Sequence, residues 1–237
     1  MIKVLRYALE SVGAPHSEET INKFYEYMDI ILERNEYINL TTITDRDEFE
    51  QKHLMDSIIC YGWPEIERAT DVIDVGTGAG FPGIPLAILY PGKRFLLLDS
   101  LGKRLEIVLK AAKELDIKNI EVLHARAEDA GRDKIYREKY DLCLGRAISA
   151  LSTMSEYCLP FVKPGGYLYA YKTKRAEDEI EESSLARQLL GASDDVEVRD
   201  RKIRGFHLDH NIWVIKKERN TPETYPRKAG IPKKIPL

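Results

Sequence analysis

The chain has 237 residues, and its 36 lysines and arginines against 39 aspartates and glutamates give a formal charge of −3. Hydrophobic residues make up 43% of the sequence, enough for a sizeable core at this length, which excludes disorder as the main state. No apolar run approaches the roughly 18 residues of a membrane span, and the first residues lack a secretory signal pattern, so we expect a cytoplasmic protein without a membrane anchor.

The cysteines and histidines predict no metal centre. Cys60, Cys143 and Cys158 lie far apart and form no C-x-x-C pair, so they support neither a disulfide framework nor a zinc knuckle. His207 and His210 form a local pair, but a metal site needs three or four convergent ligands. We therefore expect a protein without a bound metal ion.

The first 68 residues have the periodicity of a helical region. Apolar residues at helical spacing predict one buried face on a helix that begins near Ser17: Ile21, Phe24, Tyr25, Met28, Ile31 and Leu32. Thr44 or Asp45, followed three residues later by Asp47 or Glu48, is a capping signal for a further helix. These features predict a small N-terminal helical region over residues 1–68.

His53 and Asp56 lie on one side of that further helix, together with Phe49. Their i, i+3 spacing allows an acid/base pair. A histidine whose ring nitrogens are satisfied at a domain seam is the commoner arrangement, and the residues alone leave both open.

From Asp71 onward, short apolar runs alternate with helical segments. The runs predict strands at 72–75, 95–98, 120–123, 141–144 and 167–171, and the segments predict helices at 104–115 and 151–161. This alternation is typical of a parallel sheet covered on both faces. Residues 196–203 and 212–216 are separated by a short polar loop and predict an antiparallel pair at one edge. We expect one α/β domain over residues 69–217.

The end of the chain is basic. Residues 216–237 hold seven basic and two acidic side chains, a net of +5, whereas the first 215 residues carry −8. The basic C-terminal tail, residues 218–237, therefore permits a localised phosphate contact. On charge alone, a solvated and poorly ordered end is the commoner outcome.

Four glycines follow the first predicted strand, in the run Asp71-Val-Ile-Asp74-Val-Gly76-Thr-Gly78-Ala-Gly80-Phe-Pro-Gly83. Because glycine has no Cβ, they let the chain turn sharply and bring its backbone against a bound group. Residues 78–83 also satisfy the G-x-G-x-x-G pattern of dinucleotide folds, so an NAD-dependent dehydrogenase has to be considered.

Three features bear on whether the cofactor is S-adenosylmethionine or NAD. Asp74 followed by glycines at alternate positions is typical of S-adenosylmethionine loops, and this cofactor has no phosphates, so the helix N-terminus stays free for its methionine carboxylate. Asp99 ends the second strand, where a carboxylate can accept both ribose hydroxyls of either cofactor. Ala127 and Glu128 follow the third strand as the small residue and carboxylate that methyltransferases place beside adenine. Together these features favour S-adenosylmethionine.

Motifs along nearly the whole chain resemble the RsmG (GidB) family. They are Tyr37-Ile-Asn39-Leu40-Thr41, His53-Leu-Met-Asp56-Ser57, the glycine run extended through Gly83-Ile-Pro-Leu86, Leu98-Asp99-Ser-Leu-Gly-Lys103-Arg104, Arg146-Ala147 and a proline-rich end from Thr221 to Leu237. The resemblance implies a Rossmann-like, class I S-adenosylmethionine-dependent methyltransferase fold. It also implies methylation at N7 of a guanine in the 530 loop of 16S ribosomal RNA, guanine 527, with 16S ribosomal RNA or the small ribosomal subunit as partner. The sequence leaves the oligomeric state open, and a monomer is our expectation.

Carried over position by position, the resemblance implies cofactor contacts at Gly76, Phe81, Asp99, Ser100, Leu101, Ala127, Glu128 and Arg146. Arg146 is also the catalytic candidate, and Lys103 and Lys172 are candidates for contacts with RNA phosphates. Phe81 can equally be a core side chain, and either lysine can be an ordinary surface charge. Relatives often carry arginine before the last strand, where this chain has His210-Asn211, so His210 is not among the expected site residues.

The chemistry of the predicted reaction agrees with these residues. Guanine N7 carries a free lone pair and no proton, so its methylation needs alignment more than a general base. Arg146, after the fourth strand, cannot act as a base at neutral pH, but its planar fork can hold a guanine O6, a phosphate or the cofactor carboxylate. A ribosome-binding module with a vestigial cofactor pocket is the non-catalytic alternative.

Overall fold

The computed structural model describes residues 2–173 and 178–237. Within those ranges one sheet contains seven strands: β1 (Asp71–Val75), β2 (Arg94–Asp99), β3 (Ile120–His124), β4 (Tyr140–Arg146), β5 (Val162–Thr173), β6 (Ala192–Arg199) and β7 (His210–Lys217). The helices are α1 (Ile2–Val12), α2 (Glu18–Asn35), α3 (Arg46–Phe49), α4 (Pro64–Arg68), α5 (Gly83–Leu89), α6 (Gly102–Glu114), α7 (Ala127–Ala130), α8 (Leu151–Cys158), α9 (Asp178–Glu182), α10 (Ser184–Leu189) and α11 (Ile231–Lys234).

The strand order is β3-β2-β1-β4-β5-β7-β6, with β1 to β5 parallel and β7 antiparallel to both β5 and β6. The predicted parallel sheet and its antiparallel edge pair are therefore confirmed. The order of strands reverses between β1 and β4, and in open α/β sheets ligands bind outside the carboxyl ends of the strands at such a point.

The edge strand predicted at residues 196–203 lies four residues earlier in the structure. In the structure β6 begins at Ala192 and ends at Arg199, and Ile203 instead lies buried in the loop before β7, where it packs into the main hydrophobic cluster. Ile203 is apolar because it covers the core from a loop, and its apolar character extended the predicted strand beyond the true end of β6.

The N-terminal helices form as their signals predict. Ser17 Oγ accepts a hydrogen bond from Thr20 N at 3.1 Å and caps α2, and Asp45 Oδ1 caps α3 through Glu48 N at 2.9 Å. The α3 helix continues directly as a π-helix over Glu50–Met55.

One hydrophobic cluster joins the N-terminal helices to a face of the sheet, and a second covers the opposite face. The first contains Ile21 and Phe24 of α2 together with Val72 and Leu97 of the sheet, and the second contains Met154 of α8. Residues 2–68 are therefore a helical layer on the α/β domain that shares its core. Among the described residues, no helix is long and apolar enough to cross a bilayer.

The basic C-terminal segment is packed against the body of the protein. We call residues 218–237 the C-terminal strap, because they run across the outer surface of α7 and α8. Thr221 and Pro232 are buried, and Arg227 forms a bidentate ion pair with the fully buried Glu156. The solvated, poorly ordered end that charge alone favoured is therefore wrong, because a buried carboxylate and several backbone groups of the body hold the strap.

Candidate active site

The glycine loop after β1 has a backbone that only glycine adopts easily. Gly76, Gly78 and Gly80 have φ angles of +69°, +58° and +84°, in the left-handed region that L side chains disfavour. A Cβ on Gly80 would lie 2.4 Å from the hydroxyl oxygen of Tyr27. The loop is therefore fixed both by its dihedral angles and by close packing against α2.

The buried Asp74 side chain holds this loop through hydrogen bonds. Its Oδ2 accepts hydrogen bonds from the Thr77 hydroxyl at 2.7 Å and from Gly83 N at 2.9 Å, so one carboxylate oxygen joins the start of the loop to its end. Its Oδ1 is buried without a hydrogen-bond partner in the structure. Because the side chain is fully buried, its pKa is raised to about 7.

The N–H groups of the first turn of α5 are already used. Gly83 N donates to Asp74, Ile84 N donates to Gly80 O at 2.7 Å, Leu86 N donates to Pro82 O at 3.3 Å, and Pro85 has no N–H. The expectation that this helix N-terminus stays free for a carboxylate is therefore wrong. The same occupancy argues against a dinucleotide, whose pyrophosphate would need those donors.

Asp99 connects the loop to the end of β2. Its Oδ2 accepts from Gly78 N and its Oδ1 from Leu101 N, both at 2.9 Å. A carboxylate oxygen can accept two hydrogen bonds, so each oxygen keeps a lone pair. The carboxylate is thus rigidly placed and still able to accept two hydroxyl groups, as a ribose presents.

A single cleft at the carboxyl ends of the strands brings together five of the predicted cofactor residues: Gly76, Asp99, Ser100, Ala127 and Glu128. The cleft has apolar walls from Val75, Leu98 and Ile148, which suit a purine ring, and the Asp99 carboxylate suits its ribose. The residues present therefore fit an adenosine-containing cofactor. Leu101, half exposed, follows directly on Ser100 and precedes α6.

Six other residues of the cleft were not predicted as cofactor contacts from the sequence: Val75, Leu98, Ala125, Arg126, Ile148 and Tyr157. Arg126 directly precedes the Ala127-Glu128 pair and is exposed. Ile148 follows β4 and Tyr157 lies on α8. Neither residue is marked in the sequence by a glycine, a strand end or a charge pattern. Only the folding of α8 over the sheet brings them to the cleft.

Phe81 is buried in the core behind the glycine loop. Its ring stacks on that of His53, with centroids 4.7 Å apart and planes 7° from parallel, and contacts Tyr27 and Phe49 edge to face. These contacts favour the interpretation of Phe81 as a core side chain over its interpretation as a cofactor contact.

Arg146 leaves the end of β4 and points into the N-terminal helical layer. Its Nη1 donates to Lys52 O at 3.1 Å and to Asp56 Oδ2 at 3.2 Å, and its Nη2 lies 3.1 Å from His53 Nδ1. The side chain is only 8% exposed. Ala147, which follows, has a φ of +54°, so the chain turns sharply away while the guanidinium stays behind.

His53 is held in one neutral tautomer by these contacts. Because its Nδ1 accepts from Arg146, the proton is on Nε2, which donates to Thr41 Oγ1 at 2.8 Å. Burial and the neighbouring guanidinium lower its pKa to about 3. These contacts favour the satisfied histidine at a seam over the acid/base pair.

Asp56 is the shared acceptor of the cluster. Its Oδ2 accepts from Arg146 and lies 2.8 Å from His210 Nδ1, while its Oδ1 is buried without a partner in the structure. His210, which was not expected at the site, thus contacts the same carboxylate as Arg146. The 154 positions between His210 and Asp56 leave no local signal for this contact.

The two candidate lysines have different surroundings. Lys103 is exposed on the first turn of α6, beside the cleft. Lys172 is buried, and its Nζ forms an ion pair with Glu179 Oε2 at 2.5 Å and donates to Ser149 O at 3.0 Å. The Lys172 ammonium is therefore not open to a phosphate in this structure, since it would first have to release Glu179, and the RNA contact at Lys172 stays a prediction.

No group of three or more His, Cys, Asp or Glu side chains in the described ranges is arranged to hold a metal ion.

Sequence comparison relates the chain to one family over nearly its full length. The family model described as rRNA small subunit methyltransferase G matches residues 20–203. The ribosomal RNA small subunit methyltransferase G of Acetivibrio thermocellus is 44% identical over 237 residues, which cover 99% of this chain and 96% of that protein. The protein of the same name from Clostridium tetani is 41% identical over 234 residues, with coverages of 99% and 98%.

Solved structures share the fold at low sequence identity. The apo form of the S-adenosylmethionine-dependent methyltransferase SibL aligns with a TM-score of 0.58 at 15% identity, covering 92% of this chain and 74% of that one. The fibrillarin pre-rRNA processing protein of Methanococcus jannaschii aligns with a TM-score of 0.53 at 18% identity, with coverages of 72% and 77%. The fold is thus the Rossmann-like fold of class I methyltransferases, as predicted.

Proposed function

The chain belongs to the family of ribosomal RNA small subunit methyltransferase G, and from that premise we propose that it methylates N7 of a guanine in the 530 loop of 16S ribosomal RNA. It is an S-adenosylmethionine-dependent methyltransferase of ribosomal RNA. The target atom, the target loop and the residues in contact with each ligand are the proposed part. We also propose a cytoplasmic location, because the small ribosomal subunit is assembled and used there.

Five residues of the cleft are assigned to the cofactor. Asp99 accepts the two ribose hydroxyls, and the Gly76 backbone permits close approach at the turn after β1. Ser100 lies beside Asp99, and Ala127 and Glu128 lie beside the adenine. When bound, S-adenosylmethionine supplies an electrophilic methyl group on a sulfonium sulfur; the protein's own residues align the acceptor with it and exclude water.

The single observation that carries the choice of N7 is the pairing of His53 with Arg146 at the end of β4. The His53 ring bonds to Arg146 and Thr41, and Arg146 is a permanent cation, so neither can take a proton from a substrate. An exocyclic amine or a hydroxyl loses a proton on methylation, whereas guanine N7 has none to lose. The site therefore suits an acceptor that needs alignment alone.

Arg146 is assigned to the guanine. Three of its N–H groups serve Lys52, Asp56 and His53, and a guanidinium has five. The remaining donors can reach the O6 atom next to N7, which fixes the base and stabilises the positive charge that the purine gains.

Exposed basic side chains near the cleft are assigned to RNA phosphates. Lys103 is one, and the strap contributes the exposed residues Lys228, Lys233 and Lys234. Charged groups that neutralise phosphates release counterions, so such contacts make RNA affinity salt-dependent.

Replacing the three strap lysines with alanine is expected to weaken RNA binding. Each lost phosphate contact lowers the slope of log affinity against log salt by about 0.7 to 0.9, so the triple variant should lower it by roughly 2. Fluorescence anisotropy with a fragment containing the 530 loop, over a range of salt concentrations, measures this slope. The matched control replaces Lys110, Lys113 and Lys118, which are exposed and lie in the second half of α6 and just before β3. Equal slopes for both variants and the parent would remove the strap from the RNA site.

The modified nucleoside itself tests the proposed reaction. Purified protein, S-adenosylmethionine and small subunits from cells that lack the protein should yield 7-methylguanosine at one position in the 530 loop, as measured by mass spectrometry of RNA fragments. Naked 16S RNA in parallel shows which form is the substrate. A ribosome-binding module without activity would leave the RNA unmodified, and calorimetric binding of NADH in place of S-adenosylmethionine would favour a dehydrogenase.

A further inference from the structure

The C-terminal strap begins with anchors on the turn that follows α7. Thr221 N donates to Glu138 Oε1 at 2.6 Å, and its hydroxyl donates to Leu190 O at 2.8 Å. Arg137 donates to Thr221 O at 2.6 Å and to Tyr225 O at 2.9 Å. The start of the strap is therefore held by the segment between α7 and β4.

Its next anchor is on α8. Arg227 N donates to Glu156 Oε1 at 2.7 Å, and the Arg227 guanidinium pairs with both oxygens of the same carboxylate. Glu156 is fully buried and directly precedes Tyr157, which lines the cleft. The strap thus fixes the turn of α8 that carries a wall residue of the cleft.

The last anchors reach the cleft residue itself. Gly230 N donates to Glu128 Oε1 at 2.8 Å, and the Thr153 hydroxyl donates to Pro232 O at 3.2 Å. Glu128 is 4% exposed and lines the cleft. One backbone N–H of the strap therefore holds a carboxylate that also borders the cofactor cleft.

From these contacts we propose that the C-terminal strap is a positioning element of the cofactor site, which holds the Glu128 carboxylate in place for adenine. This inference rests on the proposed function, in that it takes Glu128 as an adenine contact. Helix α7 has only four residues, and a helix of that length is marginal on its own even with the hydrogen bonds from Ala130 N to Arg126 O and from Gly131 N to Ala127 O. The strap adds a hydrogen bond to the Glu128 side chain, and a buried carboxylate without that partner would turn toward water.

A chain that ends at Lys228 tests the proposal. It keeps Arg227 with Glu156 and all earlier anchors, and it loses the Gly230 donor together with the Pro232 carbonyl that accepts from Thr153. Apart from Pro232, the removed residues are exposed or half-exposed, so the fold should be retained, which circular dichroism and thermal unfolding check. In calorimetry without RNA, the Kd of S-adenosylhomocysteine should rise roughly tenfold, the factor that a lost hydrogen bond to a charged group represents.

A second ligand separates positioning from general loosening. The analogue with unsubstituted purine as its base lacks the exocyclic amine that a carboxylate would bind and, unlike hypoxanthine, carries no N1–H donor. The parent should prefer S-adenosylhomocysteine, and the truncated chain should lose most of that preference while its Kd for the purine compound stays unchanged. The full-length variant Glu223→Gln, which changes an exposed strap residue and keeps the Gly230 contact, should bind both ligands as the parent does.

Two results would overturn the proposal. Equal weakening of both ligands would make the strap a purely structural support, and unchanged Kd values would leave it as an RNA contact alone. Failure of the parent to bind S-adenosylhomocysteine would instead contradict the proposed cofactor site, so the two failures are distinguishable.

Discussion

The Arg146→Ala variant is expected to lose at least about a hundredfold in single-turnover methylation rate, the usual effect of removing one preorganised donor from developing charge. It should also lose about 3 kcal/mol of unfolding free energy, because removal of one partner of a buried ion pair leaves the other charge with only the His210 contact. The remaining charge is Asp56, whose side chain is 1% exposed. We therefore expect this variant to be less stable than the parent, whereas a catalytic side chain without structural contacts could be removed without loss of stability.

A double variant separates the two roles of Arg146. In Arg146→Ala/Asp56→Asn the buried carboxylate becomes a neutral amide, so most of the lost stability should return, as measured by urea unfolding. The methylation rate should stay low, because the donors assigned to guanine are still missing. Near-parental rates in the double variant would show that Arg146 serves the fold alone.

The second large effect concerns the pH dependence of the unfolding free energy, to which His53 and Asp74 contribute in opposite directions. His53 must be neutral in the folded protein, where its pKa is about 3, but it takes up a proton near pH 6.5 when unfolded. Its contribution to stability is complete above pH 6.5 and is lost as the pH falls toward 3, by up to about 1.4 kcal/mol per pH unit.

Asp74 acts in the other direction. Its folded pKa is about 7, above the value near 3.9 of an unfolded aspartate, so the folded state prefers its neutral form. Its contribution to stability is complete below about pH 4 and is lost as the pH rises toward 7, with a similar limiting slope. Between about pH 4 and 6.5 the two groups should nearly cancel.

Single substitutions should expose each dependence. The unfolding free energy of His53→Asn minus that of the parent should fall as the pH rises from 4 to 6.5, and the same difference for Asp74→Asn should rise. Urea titrations at half-unit pH intervals, without cofactor, measure both differences. Slopes of the same sign in the two variants would contradict the assignment of a neutral His53 and a neutral Asp74.

Local signals predicted the features that depend on neighbours in sequence. The caps at Ser17 and Asp45, the strands of the sheet and the meeting of Gly76 with Asp99 at one edge all follow from periodicity, capping chemistry and the topology of parallel strands. Each depends on residues within one element or on the rule that places strand ends together.

Contacts between distant parts of the chain escaped prediction. Glu128 and Gly230 are 102 positions apart, and Arg146 and Asp56 are 90 apart. A sequence pattern marks Arg146 as a cation and residues 218–237 as basic, but whether such charges face solvent or a buried carboxylate depends on how the helices pack. The pair of Lys172 and Glu179 is close in sequence, but it too depends on how the helix after β5 packs against that strand.

The saturated first turn of α5 has a consequence for ligand discrimination in the cell. ATP and related metabolites share their adenosine with the methyl donor, so the ribose contact at Asp99 cannot tell them apart. With the Gly83 and Ile84 N–H groups already given to Asp74 and Gly80, a phosphate chain finds no donors where nucleotide-binding proteins of this architecture supply them. We therefore expect the loop to discriminate against ATP, because the first turn of α5 offers no free N–H group to its phosphates.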